Sequence, residues 1–469
     1  MARSLPALAL AFALPTAACV DLAPADRRPP APVPASFPAG PAYAPATSER
    51  ALAGWRAFFA DPKLKQVIEQ ALANNRDLRI AVANVAAARA QFHVQRAAQL
   101  PTVTANAAAT QSREPAAVAG AQGSGAVDTR LYSLTAGVSA YQLDLFGKLR
   151  DQSRAAQEQY LATAAARDAA QITLVSEVAG DYLTLAADRD LLKIAQDTLS
   201  SSSESLKVIR SRFEHGVGSQ LDVSQADTIA QQARFDVARL TTQVAQDRNA
   251  LELVVGAPVG DELLPAGLGA PVAVLEQLPA AVSSSVLLGR PDVIQAEDQL
   301  KAANANIGAA RAAFFPDISL TGSGGLTSLA LSSLFKSASG TWSFAPAVSQ
   351  TLFDAGANRG DLDYAKAQRQ LRLATYEKAI QTAFREVADA LAQRGTIDEQ
   401  VTAQRALTAA AADSLRLSTA RYERGSDTYL NVLVAQRTYY GAEQTLVATE
   451  LARSTNLVAL YTSLGGGLN

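Results

Sequence analysis

The chain states one phrase twice. RFEHGVGSQLDV begins at Arg212 and RYERGSDTYLNV at Arg421, and the offset between these arginines is the same that carries Gly256 to Gly465. Each phrase lies inside a long Ala/Gln-rich stretch without proline. Glycine deep in such a stretch marks a break: Gly216 and Gly425 are placed to end one helix through a left-handed residue. Ser219 and Thr428 are expected to accept backbone N–H bonds and cap the next helices, which begin near Leu221 and Leu430. The chain must therefore contain two long helical hairpins.

The duplication is wider than the two phrases. RAAQLPTVTANA at Arg96 matches RAAFFPDISLTG at Arg311, YQLDLFG ends at Gly147 where SQTLFDAG ends at Gly356, and SEVAGDYL at Ser176 corresponds to REVADALA at Arg385. Both halves carry a helix, a β-like pair, a long helix, a glycine turn and a second long helix. They divide in the Pro/Gly-rich GAPVGDELLPAGLGAP. This places a first repeat at 51–258, an intervening segment at 259–289 and a second repeat at 290–469.

The long segments read as coiled coil. Val178, Leu185, Leu192, Leu199, Leu206 and Phe213 recur every seventh position, as do Val223, Ala230, Val237, Val244 and Leu251. Leu373, Ile380 and Val387 continue the theme until Arg394 interrupts it. A helix of about 66 residues is roughly 100 Å long. The β-like pieces run from Leu100 to Gln111, Leu131 to Phe146, Phe315 to Ser328 and Thr341 to Phe353, the first two separated by the polar AGAQGSG. Tyr132, Leu134, Ala136, Val138 and Ala140 share one face, as do Trp342, Phe344, Pro346 and Val348. Phe146, Phe314, Phe315 and Phe353 gather where strands join helices. Strands of about ten residues, apolar on one face with aromatics at the rim, fit a membrane barrel; the alternative is a soluble four-stranded sheet with an apolar partner layer.

The N-terminus reads as an address: MARSLPALALAFALPTAAC has an early Arg, a short apolar run and small residues before Cys19. Residues 1–18 are read as a signal peptide. Thr16-Ala17-Ala18-Cys19 resembles a bacterial lipobox, which implies that Cys19 is lipidated and becomes the mature first residue; Val20 in the next position favours the outer membrane. A Pro/Ala-rich linker completes 19–50. Beyond the signal no apolar run reaches transmembrane-helix length, so a membrane-spanning form must be a closed barrel. Four strands per chain fall short of the about eight that closure needs, so copies must associate. Two copies give eight strands and a filled interior; three or four leave a lumen, which small polar residues such as Ser139, Ser319, Ser343 and Ser349 favour.

Composition excludes much else. A net charge of −2 drives no nucleic-acid binding, and one cysteine with two histidines, His93 and His215, offers no soft-metal cluster. No phosphate loop, nucleophile elbow or metal-ligand spacing occurs, so neither catalysis nor a cofactor is expected. A coiled-coil scaffold without a pore is the competing non-enzymatic possibility.

RPDVIQAEDQLKAANANIGAARAAFFPDISLTGSGG from Arg290, with YQLDLFGKLR, SFAPAVSQTLFDAG and LVALYTSLGGG, resembles the outer-membrane efflux channels typified by TolC, in particular their lipoprotein branch. The resemblance covers nearly the whole chain from Trp55 onward. It implies a mixed fold: a long α-helical coiled-coil barrel and four β-strands per chain contributing to a shared twelve-stranded transmembrane barrel in a homotrimer. It also implies the role: the passive exit duct of a tripartite pump, anchored in outer-membrane lipid, with a periplasmic adaptor and an inner-membrane transporter as partners. Drug export with a resistance-nodulation-division transporter is favoured, and a protein-secretion duct is the alternative; metal export has no support from the residues. Carried over, Arg212, Gly216, Ser219 and Leu221, with Arg421, Gly425, Thr428 and Leu430, would meet the adaptor. Leu430 and Val434 would ring the periplasmic gate, with Arg437 beside it. Val434 stands where the family often has Asp, which implies an apolar seal, and Asp222 or Asp427 would then be the nearby carboxylates.

Overall fold

The computed structural model describes residues 21–43, 54–115, 125–269 and 283–467. The expected signal peptide, Cys19, the end of the Pro/Ala-rich linker, most of AGAQGSG and residues 270–282 lie outside the described residues. The chain divides into two compact units, one of Met1–Pro29, Ala86–Ala162 and Glu297–Ala374, the other of Pro30–Val85, Thr163–Ala296 and Thr375–Asn469. Three short helices, α1 (Trp55–Phe58), α2 (Pro62–Asn74) and α3 (Arg76–Ala97), precede β1 (Val103–Pro115) and β2 (Ala126–Gln142). The long helices α4 (Lys148–Glu214) and α5 (Gln220–Val255) follow. The order then recurs: α6 (Pro291–Ala312), β3 (Asp317–Ser328), β4 (Gly340–Ser349), α7 (Ala357–Glu423) and α8 (Tyr429–Ser463).

In the first unit the four strands form one antiparallel sheet in chain order, with β1 and β4 as unpaired edges. Register sorts the side chains into two faces. Val103, Ala105 and Ala107 align with Val138, Ala136 and Leu134, then with Gly322, Gly324 and Leu326, then with Phe344 and Trp342. Over this stretch the face is apolar; further along the β1–β2 ladder it carries Gln111 and Arg113 opposite Arg130 and Asp128. The other carries Thr104, Asn106, Thr135, Ser319, Thr321, Ser323 and Ser343, with Ser323 and Ser343 hydroxyls 2.8 Å apart. Trp342 is 81% exposed and Phe344 62%, so among the described residues nothing covers the apolar face at β4.

The strands differ from expectation in two ways. The β1–β2 ladder continues to Pro115↔Ala126, so these strands reach several residues beyond Gln111 and before Leu131. β1 begins at Val103, after the expected Leu100, and β2, β3 and β4 stop short of the aromatic rim at Phe146, Phe315 and Phe353. Ala140 leaves its expected face, because the β2–β3 register shifts between Val138 and Tyr141 and Ala140 takes φ 51°. A bulge inserts one residue and reverses the alternation. Tyr141 takes over the face and donates its hydroxyl hydrogen to the Gln99 carbonyl at 3.1 Å. Ser139 sits in this bulge, while Ser319, Ser343 and Ser349 lie on the polar face.

The duplicated LDLFG and LFDAG motifs are strand-to-helix corners. Asp144 accepts from the Arg150 amide at 2.7 Å, and Asp354 accepts from the Gly356 and Asn358 amides at 2.8 and 2.9 Å. Gly147 and Gly356 take φ 81° and 90°, so each corner turns through a glycine into a carboxylate-capped helix. Phe146 and Phe315 stack at 4.6 Å beside them. The N-terminal segment is strapped to the same unit: Arg311 donates to the Leu22 carbonyl at 2.8 Å, Asn304 to Asp26 at 2.9 Å, and Arg154 pairs with Asp21 and Asp26.

In the second unit Trp55, Phe58, Phe59, Leu64 and Ile68 of α1, α2 and their connection are buried, and Phe58 stacks on Tyr461 of α8 at 4.6 Å. Arg290, from the RPD motif, closes this core. Its guanidinium reaches the Ser463 carbonyl at 2.5 Å, Asp292 at 2.7 Å and Glu386 at 2.9 Å, so it ties the start of α6 to α7 and to the end of α8.

The seven-residue seam is present but shifts. Val178 and Leu185 are fully buried, then Ala195, Ser202 and Ile209 take the buried positions while Leu192, Leu199 and Leu206 are half-buried and Phe213 is exposed. A helix turning 3.6 residues drifts away from a 3.5-residue lane, and a lane of Ala and Ser escapes a search for large apolar repeats. On α5 Val223, Ala226, Ala230, Ala233 and Leu240 keep the coiled-coil spacing. Arg394 breaks the lane on α7 because Asp398 binds both it, at 3.0 Å, and Arg453 of α8, at 2.7 Å.

Candidate functional site

Both repeated phrases are helix–turn–helix tips of the second unit, with the same backbone. In the first, Gly216 takes φ 73°, its amide donates to the Phe213 carbonyl at 2.9 Å, and the Val217 amide donates to the Arg212 carbonyl at 2.9 Å. In the second, Gly425 takes φ 73°, donates to Tyr422 at 2.9 Å, and Ser426 donates to Arg421 at 2.9 Å. This pair of bonds is the Schellman closure, which satisfies the last carbonyls of a helix and requires a residue in the left-handed region.

The two re-entries into helix differ. After the first turn, Ser219 Oγ accepts from the Asp222 amide at 3.1 Å, and Asp222 Oδ2 accepts from the Ser219 amide at 3.2 Å, a complete capping box. After the second, Thr428 occupies the cap position but its side chain makes no cap bond, contrary to expectation. Asp427, one position earlier, braces the turn: it accepts from the Thr428 amide at 2.8 Å, from the Asn431 side chain, and from Arg421 Nε at 3.2 Å. The Thr428 amide, the Asn431 amide group and Arg421, acting together, outweigh a small desolvation effect and hold the Asp427 carboxyl below the usual carboxylate range. An Asp one position before the cap was the sequence signal for this arrangement, since Asp readily bonds nearby backbone in turns. Asp222 is therefore engaged in a capping box and Asp427 within its own turn.

The two tips are fastened to each other. Ile209, Val223, Ala226, Tyr429, Val432 and Leu433 form one buried cluster, flanked by Leu206, Ile229, Leu415 and Tyr422. The Arg212 guanidinium lies over the Tyr422 ring at 4.9 Å, and Tyr422 meets Tyr429 at 5.2 Å. Burial, with Tyr422 and Asp222 nearby, pushes the Tyr429 hydroxyl up to about 12. Leu221 and Leu430, the first exposed apolar residues after each turn, are 65% and 52% exposed.

On α8 Leu430, Val434 and Arg437 follow at helical spacing along one face, and all three are exposed while Val432 and Leu433 face the cluster. One turn on, Tyr440 donates to Asp236 of α5 at 3.1 Å, and Gln232 and Arg239 share the same carboxylate. This clasp was not visible in the sequence, because it joins residues of opposite halves. Its neighbourhood includes a cleft of about 230 Å³ lined by Thr198, Ile229, Gln436, Arg437 and Tyr440. Among the described residues no group of three or more His, Cys, Asp or Glu side chains is placed to hold a metal ion.

The family model described as "Outer membrane efflux protein" matches the chain twice, over residues 67–257 and 282–466. The chain is 45% identical over 454 residues to the antibiotic efflux pump outer membrane protein ArpC of Pseudomonas putida, covering 95% of this chain and 92% of ArpC. It is 44% identical over 469 residues to the solvent efflux pump outer membrane protein SrpC of the same species, covering 99% and 98%. Its fold superposes on the open state of the Neisseria gonorrhoeae MtrE outer membrane channel with a TM-score of 0.86 at 37% identity, covering 96% of this chain and 99% of MtrE.

Proposed function

The chain belongs to the outer membrane efflux protein family, and on that premise we propose how its parts work together. It is the outer-membrane channel of an efflux pump, the exit duct through which exported molecules leave the cell. The observation that carries the mechanism is the four-stranded sheet with two free edges and one bare apolar face. In lipid each unpaired backbone group costs several kcal/mol. Edge β1 of one copy pairing with β4 of the next removes every edge, and three copies give a twelve-stranded barrel with its polar face inward. A lumen lined by Ser, Thr and Asn passes solutes without chemistry, so the duct is not an enzyme.

The helical hairpins carry the periplasmic function. The paired tips, held at a fixed separation by the Ile209–Leu433 cluster, present Leu221, Leu430, Arg212 and Arg421 to the hairpin of a periplasmic adaptor, and an inner-membrane transporter supplies the energy. Leu430 and Val434 from three copies form an apolar ring with Arg437 behind it. Such a constriction blocks ions by dewetting. The antibiotic and solvent efflux pumps to which ArpC and SrpC belong favour antibiotics or solvents as cargo here too. Cys19 carries the lipid anchor.

The test is electrical. Purified protein inserted in a planar bilayer should form a trimer by cross-linking, with low conductance at rest and a large increase when the tips are forced apart. A monomer in mild detergent that leaves a bilayer silent would defeat the reading.

A further inference from the structure

The first unit holds a cleft of about 540 Å³ that none of this accounts for, lined among others by Asp21, Phe92, Arg96, Arg150, Asp151 and Arg154. It lies between the last turns of α3 and the first turns of α4, the helix ends joined by short connections to β1 and β2. In a membrane barrel this is the level at which the apolar strand face gives way to headgroups. Asp21, which helps line it, is two positions from Cys19.

The chemistry of the walls favours an anion. Three guanidinium groups face two carboxylates. Asp21 is already committed to Arg154 at 3.3 Å, which holds that arginine in place. Asp151 is only 1% exposed, and its Oδ2 has no hydrogen-bond partner; it abuts Gly308, where an added Cβ would lie 2.1 Å away. Burial, with the charge of Asp21, pushes this carboxyl up to about 6, so at mildly acidic pH it holds a proton and the cationic excess grows. Arg150 and Arg154 stand on the first two turns of α4, the helix end that attracts anions. Arg96 is exposed in the last turn of α3 and makes no ion pair among the described residues. Phe92 adds an apolar wall, which an inorganic ion would not need.

We propose that this cleft binds the phosphodiester headgroup of a membrane phospholipid, with Arg96 and Arg150 taking the phosphate, Arg154 completing the cradle, and the glycerol and first acyl carbons lying against Phe92. The proposal rests on the outer-membrane placement of the barrel.

Native mass spectrometry of the full-length trimer, delipidated in detergent and titrated with phosphatidylglycerol, phosphatidylethanolamine, diacylglycerol or inorganic phosphate, tests it. The same spectrum reports trimer mass, so failed assembly is distinguished from lost lipid. One phospholipid per protomer is expected, with affinity about tenfold lower for Arg96→Gln (about 1.4 kcal/mol) and lower again with Arg150→Gln added, since each variant removes a charged hydrogen bond to the phosphate. Diacylglycerol should bind the wild type and the variants equally weakly. Unchanged phospholipid affinity in the double variant, or diacylglycerol binding as tightly as phospholipid, overturns the proposal. So does displacement of the lipid by equimolar inorganic phosphate, which would make this a free-anion site. If the double variant does not assemble, Arg96→Gln alone decides, because that side chain supports no other contact described here; wild-type affinity in it refutes the assignment.

Discussion

Replacing Gly425 tests the tips with little else disturbed. At this position φ is 73°, and nothing lies within 4 Å of where a Cβ would stand. A side chain therefore meets no steric obstacle, and the whole penalty is conformational. An L-residue in the left-handed region costs about 1–2 kcal/mol, and a strained β-branched one up to about 3 kcal/mol. The equilibrium between the native turn and its alternatives then moves by roughly tenfold for Gly425→Ala and roughly a hundredfold for Gly425→Val. Losing the turn breaks the bonds from Gly425 to Tyr422 and from Ser426 to Arg421, and shifts the Arg421–Asp427 pair. Gly425→Asn should lie closest to wild type, because Asn tolerates this conformation. Efflux is measured as drug susceptibility in cells lacking the chromosomal copy, beside trimer yield from outer membranes. The expected order is Gly, Asn, Ala, Val, with trimer yield constant. Wild-type efflux in Gly425→Val, or a rank order following side-chain size and ignoring αL tolerance, would refute the reasoning.

Three further outcomes are expected. Val434→Asp puts a ring of carboxylates on the apolar stripe of α8, and resting cation conductance in planar bilayers should rise several-fold; an unchanged closed state removes Val434 from the gate. Cys19→Ser should abolish acyl labelling while barrel insertion persists, because the strands themselves hold the membrane; equal labelling of mutant and wild type argues against lipidation there. For Asp151, the folded carboxyl near 6 lies above its unfolded value of 3.8. Its ionised form is therefore disfavoured in the folded chain, by about 3 kcal/mol per protomer above pH 6. Stability should accordingly rise as pH falls from 6 towards 4. Asp151→Asn should raise the melting temperature at pH 7 and flatten that pH dependence, as read by circular dichroism; a lower melting temperature at pH 7 counts against a buried, unpartnered carboxylate.

Local chemistry was legible before any coordinates. Glycine is the residue that most readily ends a helix this way, so from Gly216 and Gly425 the two tips and the helices around them followed from spacing. Alternation of Trp342, Phe344 and Val348 against Ser343 and Ser349 likewise declared a two-faced sheet. Sequence alone missed what depends on partners distant in the chain. Thr428 left its cap bond unmade, and Asp427 braces the turn instead because Arg421 and Asn431 converge on that carboxylate. The buried lane of α4 moved to Ala195, Ser202 and Ile209 because neighbouring helices, and not residue size, decide which stripe is covered. Arg290 looked like a motif and proved to be a clamp across three helices, while Tyr440 and Asp236 gave no local sign at all. Periodicity and glycine are properties of adjacent residues, readable along one dimension; a guanidinium's three acceptors, or a clasp between two halves, exist only once the chain has brought them within about 3 Å.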